Sequence, residues 1–190
     1  MAFATIDVTK GITGVTPVAN GGTALSSGFV NGGGITEADE WRLNTALTGG
    51  TATISSNWER NDTYFDKIGT GWTESSGIFT APSTGIYLIE FSASFWCNTN
   101  ERYIEHMIKG SNDGFASNTQ TLAYAYSSIA IDEASATYNG GTARAMYDVT
   151  NTSNNKVKFG ISREQSSNAQ AEAHTSKNGT SVTFLRLGDT

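Results

Sequence analysis

The sequence predicts an all-β fold, a sandwich of about eight to ten antiparallel strands preceded by an extended N-terminal arm. Gly, Ser, Thr and Asn are abundant while only 16% of the residues are charged, which is typical of short strands joined by turns. Short apolar segments are separated by turn residues at the spacing of sandwich strands, and no helical repeat of useful length interrupts them. The 190 residues suit one such domain with an appended arm.

Residues 1–40 form the predicted arm. The stretch GITGVTPVANGGTALSSGFVNGGG, from Gly11 to Gly34, is rich in glycine, and Pro17 prevents a helix through its position. The segment is either a flexible linker or an extended arm that becomes ordered on a partner. The apolar side chains that would anchor a docking arm to its partner are Ile12, Val15, Val18, Leu25 and Phe29.

A short helical turn is predicted where the arm meets the domain. TEADEW, from Thr36 to Trp41, offers Thr36 as an N-cap and Asp39 three positions later. From Trp41 onward the sequence reads as strands and turns, so we expect the β domain to span residues 41–190. In chain order, the predicted strand segments are 41–48, 51–59, 63–68, 85–96, 102–110, 120–131, 141–149, 154–162 and 180–187.

The strongest strand signal is GIYLIEFSASFW, from Gly85 to Trp96. Its residues alternate with period two, so every second side chain faces the same side of the sheet. The side predicted to be buried carries Tyr87, Ile89, Phe91, Ala93 and Phe95. The opposite side carries Leu88, Glu90, Ser92 and Ser94.

The second side of the predicted sheet is apolar in places. Leu88 lies on it, and Leu185 and Leu187 share one side of another strand. Exposed apolar sheet faces usually mark an interface, so the sequence predicts self-association. Glu90 and Arg186 are charges among apolar neighbours, and an ion pair at a subunit contact would fix the register of the assembly. Alternatively, each charge reaches water near the end of its strand.

The charge balance argues against a nucleic-acid partner. The formal net charge is −6 and the sequence pI is about 4.8, without the clustered Lys and Arg that a phosphate groove requires. No segment approaches the roughly 20 apolar residues of a membrane span, and the first residues do not resemble a secretory signal, so we expect no membrane insertion. Cys97 is the only cysteine, which fits folding in a reducing cytosol.

Side chains capable of catalysis are present without a recognisable motif. Cys97 and His106 lack the flanking signature of a nucleophile with its base. The adjacent carboxylates Asp132 and Glu133 would point to opposite faces of a strand, which does not suit a glycosidase pair. Two histidines and one cysteine are too few for an ordinary zinc site. The sequence therefore predicts no enzyme, no cofactor and no metal.

The segment SSGIFTAPSTGIYLIEFSASF resembles the G-x-F-x-A-P-x-x-G-x-Y-x-(F/I)-x-(F/Y) signature of the C1q-like group in the tumour necrosis factor (TNF) superfamily. YFDKIGTGW before it, and NKVKFGIS and TSVTFLRL after it, stand where that family places neighbouring strands. The likeness covers about residues 41–190 and implies a jelly roll of about ten strands that assembles as a homotrimer. The matching positions are Gly77, Phe79, Ala81, Pro82, Gly85, Tyr87, Ile89 and Phe91.

The arm carries a second likeness. TGVTPVANGGTALSSG resembles the PVANGGTG segments of tailed-phage fibres and other virion appendages, with Ala24 where the usual glycine stands. ITEADEWRL and ERNDTYFDKIGTGW resemble virion-associated proteins of marine phages. These likenesses imply a protein assembled in the host cytoplasm and located in the virion.

Together the two likenesses imply a homotrimeric fibre, spike or knob head. It would dock on another virion protein through its arm and present its jelly roll to a host surface glycan or protein. The alternatives are a capsid or tail decoration protein without a receptor role, and a cellular C1q-like ligand-binding protein. The predicted trimer contact comprises Leu88, Glu90, Val182, Phe184 and Arg186. The predicted ligand-binding residues are Trp58, Asn61, Tyr64, Trp72, Asn112, Phe115 and Tyr138.

Overall fold

The computed structural model describes residues 34–51, 53–131, 136–164 and 169–190. The chain divides into two units, Met1–Thr36 and Glu37–Thr190, and the second contains the β domain. All five predicted docking residues of the arm lie outside the described residues, as does the carboxylate pair Asp132 and Glu133.

The domain is built from β-strands, and the described residues contain no helix long and apolar enough to cross a membrane. This agrees with the all-β fold predicted from the alternating apolar segments. The strands are β1 (Ala38–Leu43), β2 (Leu47–Thr48), β3 (Trp58–Arg60), β4 (Lys67–Ile68), β5 (Thr73–Ser75), β6 (Ile78–Thr80), β7 (Gly85–Cys97), β8 (Glu101–Ser111), β9 (Gln120–Ile129), β10 (Thr137–Val149), β11 (Lys156–Arg163), β12 (Gln170–Ala171) and β13 (Ser181–Gly188).

The strands form two antiparallel sheets, which we call sheet A and sheet B. In sheet A, β7 lies between β10 on one side and β13 with β12 on the other. Strand β1 pairs with β13 and, along its other edge, with β3 and β4, while β2 extends β12. Sheet B has the order β5-β6-β11-β8-β9. The predicted antiparallel sandwich is confirmed.

The core between the sheets is mainly aromatic. Alternate residues of β7 from Gly85 to Cys97 are buried, as the period-two pattern predicts. The ring of Trp72 stacks on Phe184 at a centroid distance of 4.2 Å. Phe79 packs edge-on against Trp58 at 5.4 Å. Rings in such offset and edge-to-face arrangements contribute about 0.5–1.5 kcal/mol a pair beyond the area that they bury.

The turn before β7 fixes how that strand enters the sheet. Gly85 has φ +146°, and a Cβ there would lie 2.5 Å from Nε of Arg186. With glycine there, Nε of Arg186 has room to donate a hydrogen bond to the carbonyl of Thr84 at 3.1 Å. The hydroxyl of Tyr87 donates to the carbonyl of Ser83 at 3.0 Å and ties the strand back to its own turn. Only glycine at position 85 permits this close packing.

The predicted helical turn at Thr36 to Trp41 is wrong. Strand β1 begins at Ala38, within the segment that the sequence assigned to the arm, and Ala38 pairs with Leu185. The side chain of Asp39 points inward and is 1% exposed. Pairing with a distant strand overrides a weak local capping signal. A short stretch of sequence contains the capping signal but carries no information about the distant partner strand.

Candidate interaction surfaces

The outer face of sheet A carries a continuous line of apolar side chains, which we call the apolar row. Its members are neighbours in register across five strands, β10, β7, β13, β1 and β4. Because directly paired residues point to the same side of a sheet, these side chains lie side by side. The apolar row consists of Met146, Leu88, Leu185, Ala38 and Ile68.

In the single chain the two ends of the apolar row are open to solvent, and its three middle members are partly buried. Met146 is 70% exposed and Ile68 is 41% exposed, and Leu187, on the same strand as Leu185, is 49% exposed. Scattered surface hydrophobics are ordinary, whereas a contiguous apolar patch on a sheet face marks a contact surface. The sequence identified Leu88, Leu185 and Leu187 but not Met146 or Ile68, which the register adds.

Polar pairs border the apolar row on β7 and β10. Nη2 of Arg144 lies 2.6 Å from Oε1 of Glu90, directly opposite it in the register. One step further along the strands, the hydroxyls of Ser92 and Thr142 lie 2.8 Å apart. Glu90 is therefore paired within its own chain by Arg144, a partner that the sequence did not suggest.

Two of the predicted trimer-contact residues are wrong. Val182 and Phe184 are fully buried in the core of the chain, opposite Phe91 and Ile89 of β7, so they cannot contact a second copy. Alternation along β13 turns them inward and turns Leu185 outward. Both sides of this strand are apolar, so the sequence pattern alone did not distinguish the inner from the outer side.

Arg186 lies at the end of the sandwich beside the turn that precedes β7. It donates to the carbonyl of Thr84, and its Nη2 lies 2.5 Å from Oδ1 of Asp189. Its side chain is 17% exposed. Within the chain, Arg186 therefore binds Thr84 and Asp189 and does not pair with Glu90. A pairing of Arg186 with Glu90 of another subunit stays a prediction.

Three of the predicted ligand-binding residues belong to the interior and are corrected here. Trp58 is 9% exposed, Trp72 is 1% exposed and Asn61 is 5% exposed. Oδ1 of Asn61 accepts a hydrogen bond from Arg42 at 2.8 Å, and its Nδ2 donates to Glu40 at 2.5 Å. These side chains build the fold, because aromatic residues near turns in a small sandwich can still point into the core.

The other four predicted ligand-binding residues lie at separate places. Tyr64 is 81% exposed between β3 and β4, and Tyr138 is 64% exposed on the outer face of sheet A, beside Trp96. Asn112 and Phe115 lie in the turn that joins β8 to β9. The structure therefore places them in three regions instead of one pocket.

The β8–β9 turn is ordered by one carboxylate. Asp113 accepts hydrogen bonds from the hydroxyls of Ser111 and Ser117 at 2.7 Å each. Backbone amides of Ser117 and Asn118 add further bonds, each at 2.9 Å. These hydrogen bonds, led by the one from Ser111, hold the pKa of Asp113 well below its usual value. The carboxylate therefore shapes this turn.

The outer face of sheet B carries a cluster of tyrosines that the sequence analysis missed. Tyr124 and Tyr126 are 57% and 59% exposed, and their ring centroids lie 5.2 Å apart. Tyr103 of β8 packs edge-on against Tyr126 at 6.0 Å. The motif YAY in β9 was the available signal, since two tyrosines separated by one residue share a strand face. We call these three residues the tyrosine cluster.

Charged groups lie beside the tyrosine cluster. Glu105 is directly opposite Tyr126, and partial burial, the charge of Glu105 and the neighbouring Tyr124 raise the pKa of Tyr126. Further along the same face, Lys109 is directly opposite Lys158. Burial and the charge of Lys109 lower the pKa of Lys158, whose Nζ lies 4.2 Å from the ring centroid of Phe115.

Cys97 and His106 do not form a nucleophile–base pair. Both are fully buried, and the polar group beside the ring of His106 is the backbone of Gly141. The imidazole packs instead against the rings of Phe91 and Phe95, at 5.4 Å and 5.8 Å. Burial lowers the pKa of His106 to about 4, so the ring is neutral near pH 7.

Buried carboxylates and guanidinium groups hold β1 to its neighbours. Asp39 accepts from Nε of Arg60 at 2.9 Å and from the backbone amide of Trp72 at 2.7 Å. Arg42, fully buried, binds Asp62 at 2.9 Å. Among the residues that the structure describes, no group of three or more His, Cys, Asp or Glu side chains is placed to hold a metal ion.

No protein-family model matches the chain, and no curated protein matches it. Solved structures do: the crystal structure of murine APRIL at pH 8.5 has a TM-score of 0.56 at 16% identity, covering 80% of this chain and 98% of that one. The structure of Eiger TNF from S. frugiperda has a TM-score of 0.53 at 10% identity, covering 80% and 93%. Identities this low show the fold alone, which is a TNF-like jelly roll.

Proposed function

We propose that this chain is a non-enzymatic structural and adhesion protein of a tailed-phage particle. Its jelly-roll domain forms a homotrimer, its N-terminal arm docks on another virion protein, and the trimeric head is displayed towards the host surface. The TNF-like fold supports a trimeric, ligand-binding domain, and the phage origin is supported by the sequence of the arm.

The proposed homotrimer rests mainly on the apolar row. Five strands at a spacing of about 4.8 Å give it a width of about 20 Å, comparable to the core of an ordinary subunit contact. In a single chain this surface would leave Met146 and Ile68 in water. Packing against another copy would remove them from solvent, which favours the assembly.

Light scattering of the purified full chain tests the assembly. At micromolar concentration we expect a mass three times the 20.2 kDa of one chain. A monomer at that concentration would overturn the homotrimer. A dimer would keep the apolar row as a contact surface while contradicting the threefold arrangement.

The virion assignment needs a separate test, because the domain fold is shared by cellular proteins. Proteomics of purified particles together with immunogold labelling should place the protein on the virion. Its absence from particles would favour the cellular ligand-binding alternative. If particles that lack it adsorb normally to the host, the protein is a decoration protein without a receptor role.

A further inference from the structure

We propose that the outer face of sheet B binds an acidic polysaccharide, with the tyrosine cluster stacking against sugar rings and Lys109 and Lys158 contacting their carboxylate or sulfate groups. The inference rests on the proposed display role and deepens it by naming the binding surface and the ligand class.

The tyrosine cluster supplies the stacking surface. Tyr124 and Tyr126 meet at an angle of 64° and Tyr103 meets Tyr126 at 88°, so the rings brace one another and expose faces in different directions. Tyrosine offers a flat apolar face with a polar edge at little cost in side-chain entropy. The C–H face of a pyranose can pack on such a ring while its hydroxyl groups stay at the polar edge.

The lysines lie within one step of the rings. Tyr124 is directly opposite Met107, and Lys109 follows Met107 by two positions on β8, a rise of about 7 Å. Lys158 is directly opposite Lys109. A sugar stacked on Tyr124 would thus place its neighbour in the polymer beside both ammonium groups.

Charge complementarity argues for an anionic ligand. The chain has a net charge of −6 and six lysines, three of which share this face. Lys156 is the third, since it lies two positions before Lys158 on β11 and points to the same side. An anionic group on this face would meet ammonium-bearing side chains of two adjacent strands, which is the complementary charge.

Glu105 favours a polysaccharide over a uniformly charged polymer. It lies between Tyr126 and Ser162 on the same face, and besides its hydrogen bond with Tyr126 its carboxylate has further lone pairs that can accept from sugar hydroxyls. A nucleic acid or a polyglutamate segment carries a negative charge on every unit, and one of these charges would lie against the carboxylate of Glu105 and be repelled by it. A polymer of alternating charged and neutral sugars can place its anion at the lysines and a hydroxyl at Glu105.

Binding of the full chain to immobilised hyaluronate, unsulfated chondroitin and heparosan, in each of which charged and neutral sugars alternate, tests the inference, with dextran and polyglutamate as comparison polymers. We expect one or more acidic polysaccharides to bind, more weakly as salt rises, and dextran to bind at least tenfold more weakly. Tyr124→Ala should weaken binding about tenfold and Lys158→Gln about fivefold.

Lys177→Gln is the matched control, because it removes the same charge from an exposed loop elsewhere. It should change binding less than twofold. Binding to none of the three polysaccharides, equal binding to polyglutamate, or an equal loss in Lys177→Gln and Lys158→Gln would each overturn the inference. Light scattering on the same samples separates the two proposals: a trimer that binds no polysaccharide overturns only this one.

Discussion

The two outer faces of the sandwich are built by the same alternation and expose different chemistry. Sheet A presents the apolar row, bordered by the pair of Arg144 and Glu90. Sheet B presents the tyrosine cluster and the opposed lysines Lys109 and Lys158. The inward residues of both sheets are alike, so the core does not distinguish the faces. What distinguishes them is the set of outward side chains, and for that reason we propose self-association on one side and ligand binding on the opposite side.

The largest effect is expected in a test of which side of β13 faces the core, and it uses two adjacent residues of that strand. Phe184→Ala should lower the free energy of unfolding by about 3–5 kcal/mol, because it leaves a cavity against Trp72. Leu185→Ala removes only an outward side chain and should cost about 1 kcal/mol or less in a monomer. Urea denaturation in a monomeric Leu88→Glu background measures both. Equal losses would show that the assignment of sides in β13 is wrong.

The next test asks which face associates. Leu88→Glu places a charge in the middle of the apolar row, and burying it without a partner should weaken assembly by about 100-fold or more. Sedimentation or light scattering across a dilution series gives the association constant. Tyr124→Glu is the control on sheet B and should leave the mass unchanged. If Tyr124→Glu dissociates the protein and Leu88→Glu does not, the two faces have been assigned the wrong way round.

Acid should lower the free energy of unfolding through His106, which packs between the two sheets against Phe91 and Phe95. Its folded-state pKa of about 4 lies below the ordinary histidine value of 6.5, so the unfolded chain binds the proton more readily between these values. The contribution of the neutral imidazole is complete above pH 6.5 and is lost as the pH falls towards 4, by about 3 kcal/mol at most. Urea denaturation at several pH values measures this loss.

His106→Leu should flatten that part of the pH profile, because it removes the buried imidazole. Carboxylates also titrate towards pH 4, so the difference between His106→Leu and the unaltered chain is the informative quantity. An unchanged profile in His106→Leu would contradict a buried neutral imidazole.

The smallest effect is expected at the border of the apolar row. Arg144→Glu should change the stability of the monomer by about 1 kcal/mol or less, since the pair with Glu90 is partly exposed. In the assembly, Arg144→Glu should weaken association by about tenfold, because the new carboxylate lies directly opposite that of Glu90 at the border of the contact. The exchange Glu90→Arg with Arg144→Glu should restore association. Unchanged association in Arg144→Glu would place this pair outside the contact.

The fold was predictable because its main strand is unambiguous. In β7 one side is uniformly apolar and aromatic, so the buried residues Tyr87, Ile89 and Phe91 follow from alternation alone. In β13 both sides are apolar, and the sequence pattern could not decide between Phe184 and Leu185. That choice depends on which side faces sheet B, which is a tertiary property.

The surfaces were harder to predict than the fold. The apolar row exists only through the register of five strands, so Met146 and Ile68 looked like isolated hydrophobic residues in the sequence. Trp58 and Trp72 looked like loop aromatics and are buried. Lys109 and Lys158 lie far apart in the sequence and become neighbours through the pairing of β8 with β11.

The position of β13 has a consequence for synthesis on the ribosome. It lies between β7 and β1, and Ala38 finds its partner Leu185 only after nearly the whole domain has been translated. Until then Trp72 lacks the stacked ring of Phe184, and the apolar row lacks its middle member. A nascent chain therefore completes sheet A and the apolar row in the same step, and until that step the edges of β7 and β1 that pair with β13 stay unpaired.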